Sequence, residues 1–450
     1  MQFQLTDEFI EQVEALIAIN NGDGLEALLN ELHFADIAEI LQELNTEEAT
    51  YIVKLLDSEV TSEVLIELDE DFRERILDRL TPSEIADELD EMDTDDAADI
   101  IAELDDDVQK QVISHIEDEE HAADIVDLLR YDEDTAGGLM AKELVRVKET
   151  WTIAGCVREM RRQAENVTRI HSIYVTDNEG KLKGRLSLKD LLTAPEKAHI
   201  SDIYIPKVNY VNIHTEGEEV ARIMQKYDLE AIPVVDEQGI LVGRITIDDI
   251  VDFIKEEAEK DYQMAAGIST DVEADDGLLK QTRARLPWLL IGMFGGLGAA
   301  SIISGFQEIL ESFPRILIFV PLIQATAGNV GVQSSAIVVQ GLANDTLKGN
   351  IFSRLIRESG LALVNGLAIA IIVLFISHFV FSTSYLESIS IGIALVSVIL
   401  LAALIGTFIP IILDRKGIDP AVATGPFITT SNDVFGILTY FLIAKMILGF

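Results

Sequence analysis

Five apolar stretches, at 286–310, 316–343, 359–382, 389–413 and 421–450, limit what this 450-residue chain can fold into. Each is long enough, at about 1.5 Å of rise per helical residue, to cross a hydrocarbon core about 30 Å thick. Inside lipid every backbone N–H and C=O needs an internal partner, and separate spans of this length meet that need as helices. Residues 281–450 are therefore expected to be a five-helix transmembrane domain in a lipid bilayer. Cationic residues orient it. Lys280, Arg283, Arg285, Lys348, Arg354, Arg357, Arg415 and Lys416 fall on one side, against Arg315 and Lys445 on the other. The positive-inside rule then predicts a multi-pass cell-membrane protein with cytoplasmic N-terminal domains and its C-terminus outside.

Two spans carry polar groups where lipid-facing helices carry none. The second has QATAGNVGVQSS at its centre, with Gly328, Asn329 and Gln333. Such a centre serves either close interhelical packing or the wall of a permeation pathway. The fifth span holds Asp433, the only carboxylate in the interior of any of the five spans, with Thr429 one turn earlier and an interruption at Gly425-Pro426. A carboxylate at that depth is costly unless it faces water or a counter-charge, and it marks a functional site. Oxygen ligands without sulfur or imidazole suit a hard cation such as Mg²⁺ or Ca²⁺.

The remainder is strongly acidic. Of 34 Lys/Arg and 78 Asp/Glu, residues 281–450 hold 9 and 8, which leaves 25 and 70 in residues 1–280. That field repels nucleic acid and attracts divalent cations. The single Cys156 excludes an intrachain disulfide and a thiolate zinc site, and the acidic N-terminus has no signal-peptide n-region. Residues 1–138 show helical periodicity throughout, with start signals at Asn45–Glu48 and Thr81–Glu84. A segment from Asp36 aligns with one from Glu84 at a shift of 48, which predicts an α-superhelical N-terminal domain.

Residues 139–254 change grammar. SIYVTDNEGKLKGRLSLKDLL, from Ser172, aligns at a shift of 59 with AIPVVDEQGILVGRITIDDIV, from Ala231. The duplicated strand–turn–strand–helix pattern, each copy preceded by an amphipathic helix, resembles tandem α/β CBS domains. In such pairs G-x-h-[S/T]-x-x-D often contacts an adenine nucleotide such as ATP, and here it reads Gly184…Ser187…Asp190 and Gly243…Thr246…Asp249. The alternative is that these residues close a turn and cap the next helix. Residues 255–280 then form a charged linking (plug) helix and an acidic linker.

An acidic helical domain ending in TAGGLM (Thr135–Met140), two CBS repeats, a linking helix and five spans resemble the MgtE magnesium channels. PLIQATAGNVGVQSS in the second span and GIDPAVATGPFITTSNDVFG in the fifth fit that family's pattern. The resemblance implies a homodimer with a pore on its two-fold axis. Asp433 would bind hydrated Mg²⁺ there with Thr429 and Gly425 oxygens near, Asp419 would sit at the mouth, and Gly328, Asn329 and Gln333 would support the wall. It also implies gating by cytosolic Mg²⁺ held on Glu216, Glu218, Asp228, Asp249, Asp252, Glu257 and Asp261, with Asp95 from the helical domain. Two departures stand out: Gly425 where the family can carry Asn, and Lys260 where it tends to carry an acid. The competing expectation is an ion-coupled carrier of Mg²⁺, Co²⁺ or Mn²⁺, which needs a second titratable group deep in the membrane; His378 lies only near a span end. No enzymatic motif such as H-E-x-x-H occurs in the spans, so a non-enzyme is expected.

Overall fold

The structure, a computed structural model, describes residues 3–163, 170–195, 198–269, 272, 276–343, 347, 350–423 and 425–449. Lys348 and most of the acidic linker after Ser269 lie outside the described residues. The chain forms two compact units, Met1–Lys255 and Glu256–Phe450.

The first unit begins with ten helices: α1 (Asp7–Ala18), α2 (Gly22–Leu29), α3 (Phe34–Glu43), α4 (Thr46–Val53), α5 (Ser58–Ile66), α6 (Glu70–Leu77), α7 (Pro82–Leu89), α8 (Thr94–Glu103), α9 (Asp106–Ile113) and α10 (Glu119–Leu128). The caps act as their sequences require. Asn45 Oδ1 accepts from the Glu47 and Glu48 amides, and Thr81 with Glu84 closes a capping box around Pro82 at the start of α7. Helices α3, α5, α7 and α9 start at Phe34, Ser58, Pro82 and Asp106, a spacing of 24 residues. The repeat of 48 seen in sequence is thus two turns of a 24-residue helix pair. Packing skips one helix along much of the row, α3 on α5, α5 on α7 and α7 on α9, with α4 on α6 and α8 on α10. A short pair buries its apolar face only against its neighbour, which is why Ile37, Ile40, Leu41, Ile52, Leu65, Ile85, Leu89 and Ile101 form one continuous core.

Two three-stranded sheets follow. In the first, β1 (Val145–Lys148) runs parallel to β2 (Ile173–Thr176), which pairs antiparallel with β3 (Leu182–Leu186); α11 (Ile153–Gln163) crosses over and α12 (Leu188–Thr193) follows. The second copy uses β4 (Val211–Asn212), α13 (Gly217–Tyr227), β5 (Ala231–Val235) and β6 (Leu241–Thr246), then α14 (Ile247–Ala266). Both hairpins turn on a glycine with positive φ, Gly180 and Gly239, where a side chain would be strained. Asp177 and Asp236 fasten the turns by accepting from Glu179 and Lys181, and from Gln238 and Ile240. The hairpins then bond to one another, Leu182 N to Gly239 O at 3.1 Å and Leu241 N to Gly180 O at 3.0 Å.

In the second unit, α15 (Leu278–Gly305), α16 (Gln307–Ser312), α17 (Val320–Ala343), α18 (Ile351–Phe379), α19 (Tyr385–Asp414) and α20 (Gly425–Leu448) make a bundle. All except α16 are long and apolar enough to cross a membrane. Helix α19 is the most buried and packs against α17, α18 and α20, while α15 lies along α20 and leaves Leu289, Phe294 and Leu297 exposed. One expectation needs correction. Helix α18 starts at Ile351, capped by Asn350, eight residues before the apolar stretch. Glu358 therefore lies inside a membrane helix, so Asp433 is not the only carboxylate within the five; Glu387 is also buried in the first turn of α19. Hydropathy missed this start because Arg354, Arg357 and Glu358 dilute it.

Candidate metal sites

The acidic front concentrates its charge where the helical domain meets the second sheet copy. The segment after α10 threads that copy: Ala136 N donates to Thr215 O, Gly137 N to Ile213 O, and Ala141 exchanges backbone bonds with Arg244. Glu143, at the end of the thread, accepts from the Thr94 hydroxyl at 2.9 Å and the Thr94 amide at 3.2 Å. This brings Glu143 to the N-terminus of α8, where Asp93 is the N-cap residue and Asp95 and Asp96 occupy the first turn. Asp93, Asp95 and Glu143 each offer a carboxylate oxygen, all within 4.8 Å of one another. A helix N-terminus favours an anion, and buried Arg244 on β6 supplies a cation to Asp93 at 3.1 Å. Those two sources are outnumbered.

Burial, and after it mutual repulsion, raises several of these carboxyls. Burial holds Asp95 well above the usual carboxylate range, with Asp96, Asp249, Asp93 and Glu143 adding repulsion. Asp96 is raised likewise, by burial first and then by Asp249 and Asp93. Glu143 is raised by burial and Asp93, and Glu63 by burial and again Asp93. Asp249, in the first turn of α14, is raised by burial although it accepts from the Thr246 hydroxyl at 2.6 Å and its amide at 2.8 Å. A divalent cation is the group that such a set of hard oxygens would take up most readily.

Asp95 and Asp249 are thus brought together, and they recruit Asp93, Asp96 and Glu143, which the sequence reading left out of the site. Asp93-x-Asp95-Asp96 was visible as a local run; nothing local marks Glu143. The other regulatory candidates are dispersed. Glu216 and Glu218 stand at the start of α13, whereas Asp228 is the left-handed residue at its far end. Asp252 lies further along α14, raised by burial. In the second unit, Glu257 is paired with Lys260 at 2.9 Å, and Asp261 lies one residue beyond that lysine. At the two nucleotide motifs the capping alternative is met: Ser187 caps α12 through the Lys189 amide, and Thr246 bonds to Asp249. Asp190 lies in the first turn of α12.

In the membrane unit, Asp433 is half-buried on α20, and its carboxylate has no hydrogen bond or ion pair among the described residues. Thr429, one turn before it, donates back to the carbonyls of Gly425 (3.2 Å) and Pro426 (3.1 Å). Gly328 of α17 faces Thr429, while Asn329 and Gln333 are exposed on the next face of α17. The last turn of α14 closes on this end of α20. A Cβ at Gly425 would collide with the Ala265 carbonyl, and Gly267, with φ of 82°, packs on Pro426 and Trp288. Asp419 is exposed and accepts from the Ala421 amide at 2.7 Å, so it caps the short turn ahead of α20. Glu358 accepts from the Ser334 hydroxyl of α17 at 2.7 Å.

Comparison with known proteins decides the family. A divalent cation transporter model, MgtE, matches residues 320–443; an MgtE intracellular N domain matches 32–134, and CBS domains match 136–197 and 200–256. The magnesium transporter MgtE of Thermus thermophilus is 37% identical over 329 residues, 72% of this chain and 73% of that one. The chain belongs to the MgtE family. The MgtE of Enterococcus faecalis is also 37% identical, over 74% of this chain and 73% of its own. A crystal structure of the cytosolic domain of the Mg²⁺ channel MgtE in complex with ATP superimposes with a TM-score of 0.52 at 36% identity, covering 54% of this chain and 99% of that domain. The MgtE architecture of helical domain, CBS pair and membrane helices is therefore that of this protein.

Proposed function

We propose that this chain is a Mg²⁺-selective channel of the cell membrane, a homodimer with its C-terminus outside, closed by cytosolic Mg²⁺. The observation that carries the reading is Asp433: a carboxylate on a membrane helix with no hydrogen bond or ion pair among the described residues, one turn after Thr429, in a chain of this family. Mg²⁺ sheds water reluctantly. Asp433 from two copies would hold the hydrated ion, Thr429 and Gly425 oxygens would receive its water protons, and Asp419 would raise cation concentration at the mouth. Gly328 lets Thr429 approach α17, and Asn329 with Gln333 would line the partner-facing wall. Such a pore needs no catalytic group, and we assign no enzymatic activity.

Regulatory Mg²⁺ fits the cluster of Asp93, Asp95, Asp96, Glu143 and Asp249, because Asp93, Asp95 and Glu143 bring carboxylate oxygens within 4.8 Å of one another, and burial first, then mutual repulsion, raises Asp95 and Asp96. Bound metal supplies positive charge there and nothing more. Helix α14 carries Asp249 in its first turn and runs on into the second unit, where its last turn abuts Gly425. Glu216, Glu218, Asp228, Asp252, Glu257 and Asp261 extend the same proposal to sites completed by a second copy. ATP at Ser187, Asp190, Thr246 and Asp249 rests on the nucleotide-bound relative. The domain division at 138, 254 and 280 belongs to this proposal as well.

The test is Mg²⁺ uptake into proteoliposomes. Asp433→Ala should abolish it with assembly intact, and normal uptake by that variant would sink the pore assignment. One observation favours an ion-coupled carrier: Glu358 supplies the second membrane carboxylate that such a mechanism requires. Glu358→Gln keeps an acceptor for Ser334, so a channel should conduct through it, whereas a proton-coupled carrier should lose its response to a pH gradient.

A further inference from the structure

Asn432, next to Asp433, is a polar side chain buried among the membrane helices. Its side chain is 1% exposed, and its Nδ2 donates to the Ala327 carbonyl of α17 at 3.3 Å. Its Oδ1 has no donor among the described residues, so a buried amide has been retained at a cost. Space for it comes from α17 itself: a Cβ on Gly331 would overlap the Asn432 amide and lie 2.7 Å from Ile428. Gly331 in turn admits α19, because a Cβ on Gly406 would strike the Gly331 carbonyl. Three helices therefore meet at one amide. The crossing is polar for its depth: Ser335, one turn after Gly331, and Thr407, beside Gly406, are both 0% exposed with hydroxyls unpartnered among the described residues.

Consecutive residues on a helix point roughly 100° apart. Fixing Asn432 against the α17 backbone therefore fixes the direction of the Asp433 carboxylate, and a functional group tolerates only about 10–20° of error. We propose that Asn432, seated under Gly331, is the positioning residue for Asp433 and thereby sets ion selectivity; this rests on the pore reading above. A leucine of similar size could fill the space without gripping Ala327, and α20 would be free to rotate.

The test reconstitutes full-length Asn432→Leu in proteoliposomes beside Asp433→Ala, with assembly checked by size-exclusion chromatography. Asn432→Leu should lower the Mg²⁺-to-Ca²⁺ flux ratio at least tenfold and raise the half-saturating Mg²⁺ concentration, while Asp433→Ala passes no Mg²⁺. An assembled Asn432→Leu with ratio and half-saturation unchanged, whether or not total flux falls, overturns the positioning role and leaves the pore reading intact if Asp433→Ala is inactive. Normal uptake by Asp433→Ala overturns the pore reading itself. Asn432→Ser, too short to reach Ala327, carries the same expectations if the leucine variant does not assemble.

Discussion

Glu88, on α7, is buried against α5, where its Oε2 accepts from the Thr61 hydroxyl at 2.5 Å. Burial pushes its carboxyl from an ordinary 4.5 up to about 7, with Asp87 and Glu91 adding repulsion and Thr61 opposing. The folded domain therefore keeps a proton that the unfolded chain has released between those two values. Because the native state binds more protons there, stability falls as pH rises from about 4.5 to 7 and is flat above. At about 1.4 kcal/mol per pH unit the full displacement is worth about 3 kcal/mol, and partial solvent screening brings that to about 2 kcal/mol. Glu88→Gln keeps an acceptor for Thr61 and removes the titration. Denaturant unfolding of residues 1–267 at pH 5 and pH 8 in EDTA should show a variant that is about 2 kcal/mol less pH-sensitive and more stable at pH 8. Asp95, Asp96, Glu143 and Asp249 are raised too, so part of the pH dependence should survive the substitution. That remainder should vanish in saturating Mg²⁺, whereas the Glu88 part should not. An unchanged pH profile in Glu88→Gln, or a Glu88 part erased by Mg²⁺, would refute the reasoning.

Two further outcomes follow from single contacts. Arg244→Ala removes the buried partner of Asp93 and should destabilise the soluble unit by about 3–5 kcal/mol without metal, with Mg²⁺ restoring much of the loss in thermal unfolding; an equal loss with and without Mg²⁺ would count against a cation site there. Gly425→Ala places a Cβ against the Ala265 carbonyl and should leave uptake high at cytosolic Mg²⁺ levels that silence the parent; unchanged closure would show that this contact does not restrain the pore.

Much of the architecture was legible because its signals are local. Asn45, Thr81 and Pro82 mark helix starts within one turn, and Gly180 with Gly239 marks both hairpins. The repeat was read at 48 rather than 24 residues because the intermediate pair, α5 and α6, keeps the burial pattern but not the residue types. The acidic cluster was half legible. Asp95 and Asp249 were selected by family position, but Glu143 reaches Thr94 across 49 residues of chain, a distance no periodicity encodes. Glu358 was lost to a hydropathy boundary, and Asn432 looked like one more polar residue until its overlap with Gly331 was visible.

The central claim is that hydrated Mg²⁺ flows past Asp433 through a pore that cytosolic Mg²⁺ closes. Recording single-channel current from the purified protein in planar bilayers, with Mg²⁺ as sole permeant cation, tests it most directly. The account predicts discrete openings whose probability falls as Mg²⁺ is raised on the side facing the soluble domains, and none in Asp433→Ala. Mg²⁺ uptake by the same preparation without unitary currents, or openings indifferent to Mg²⁺ on that side, would contradict it.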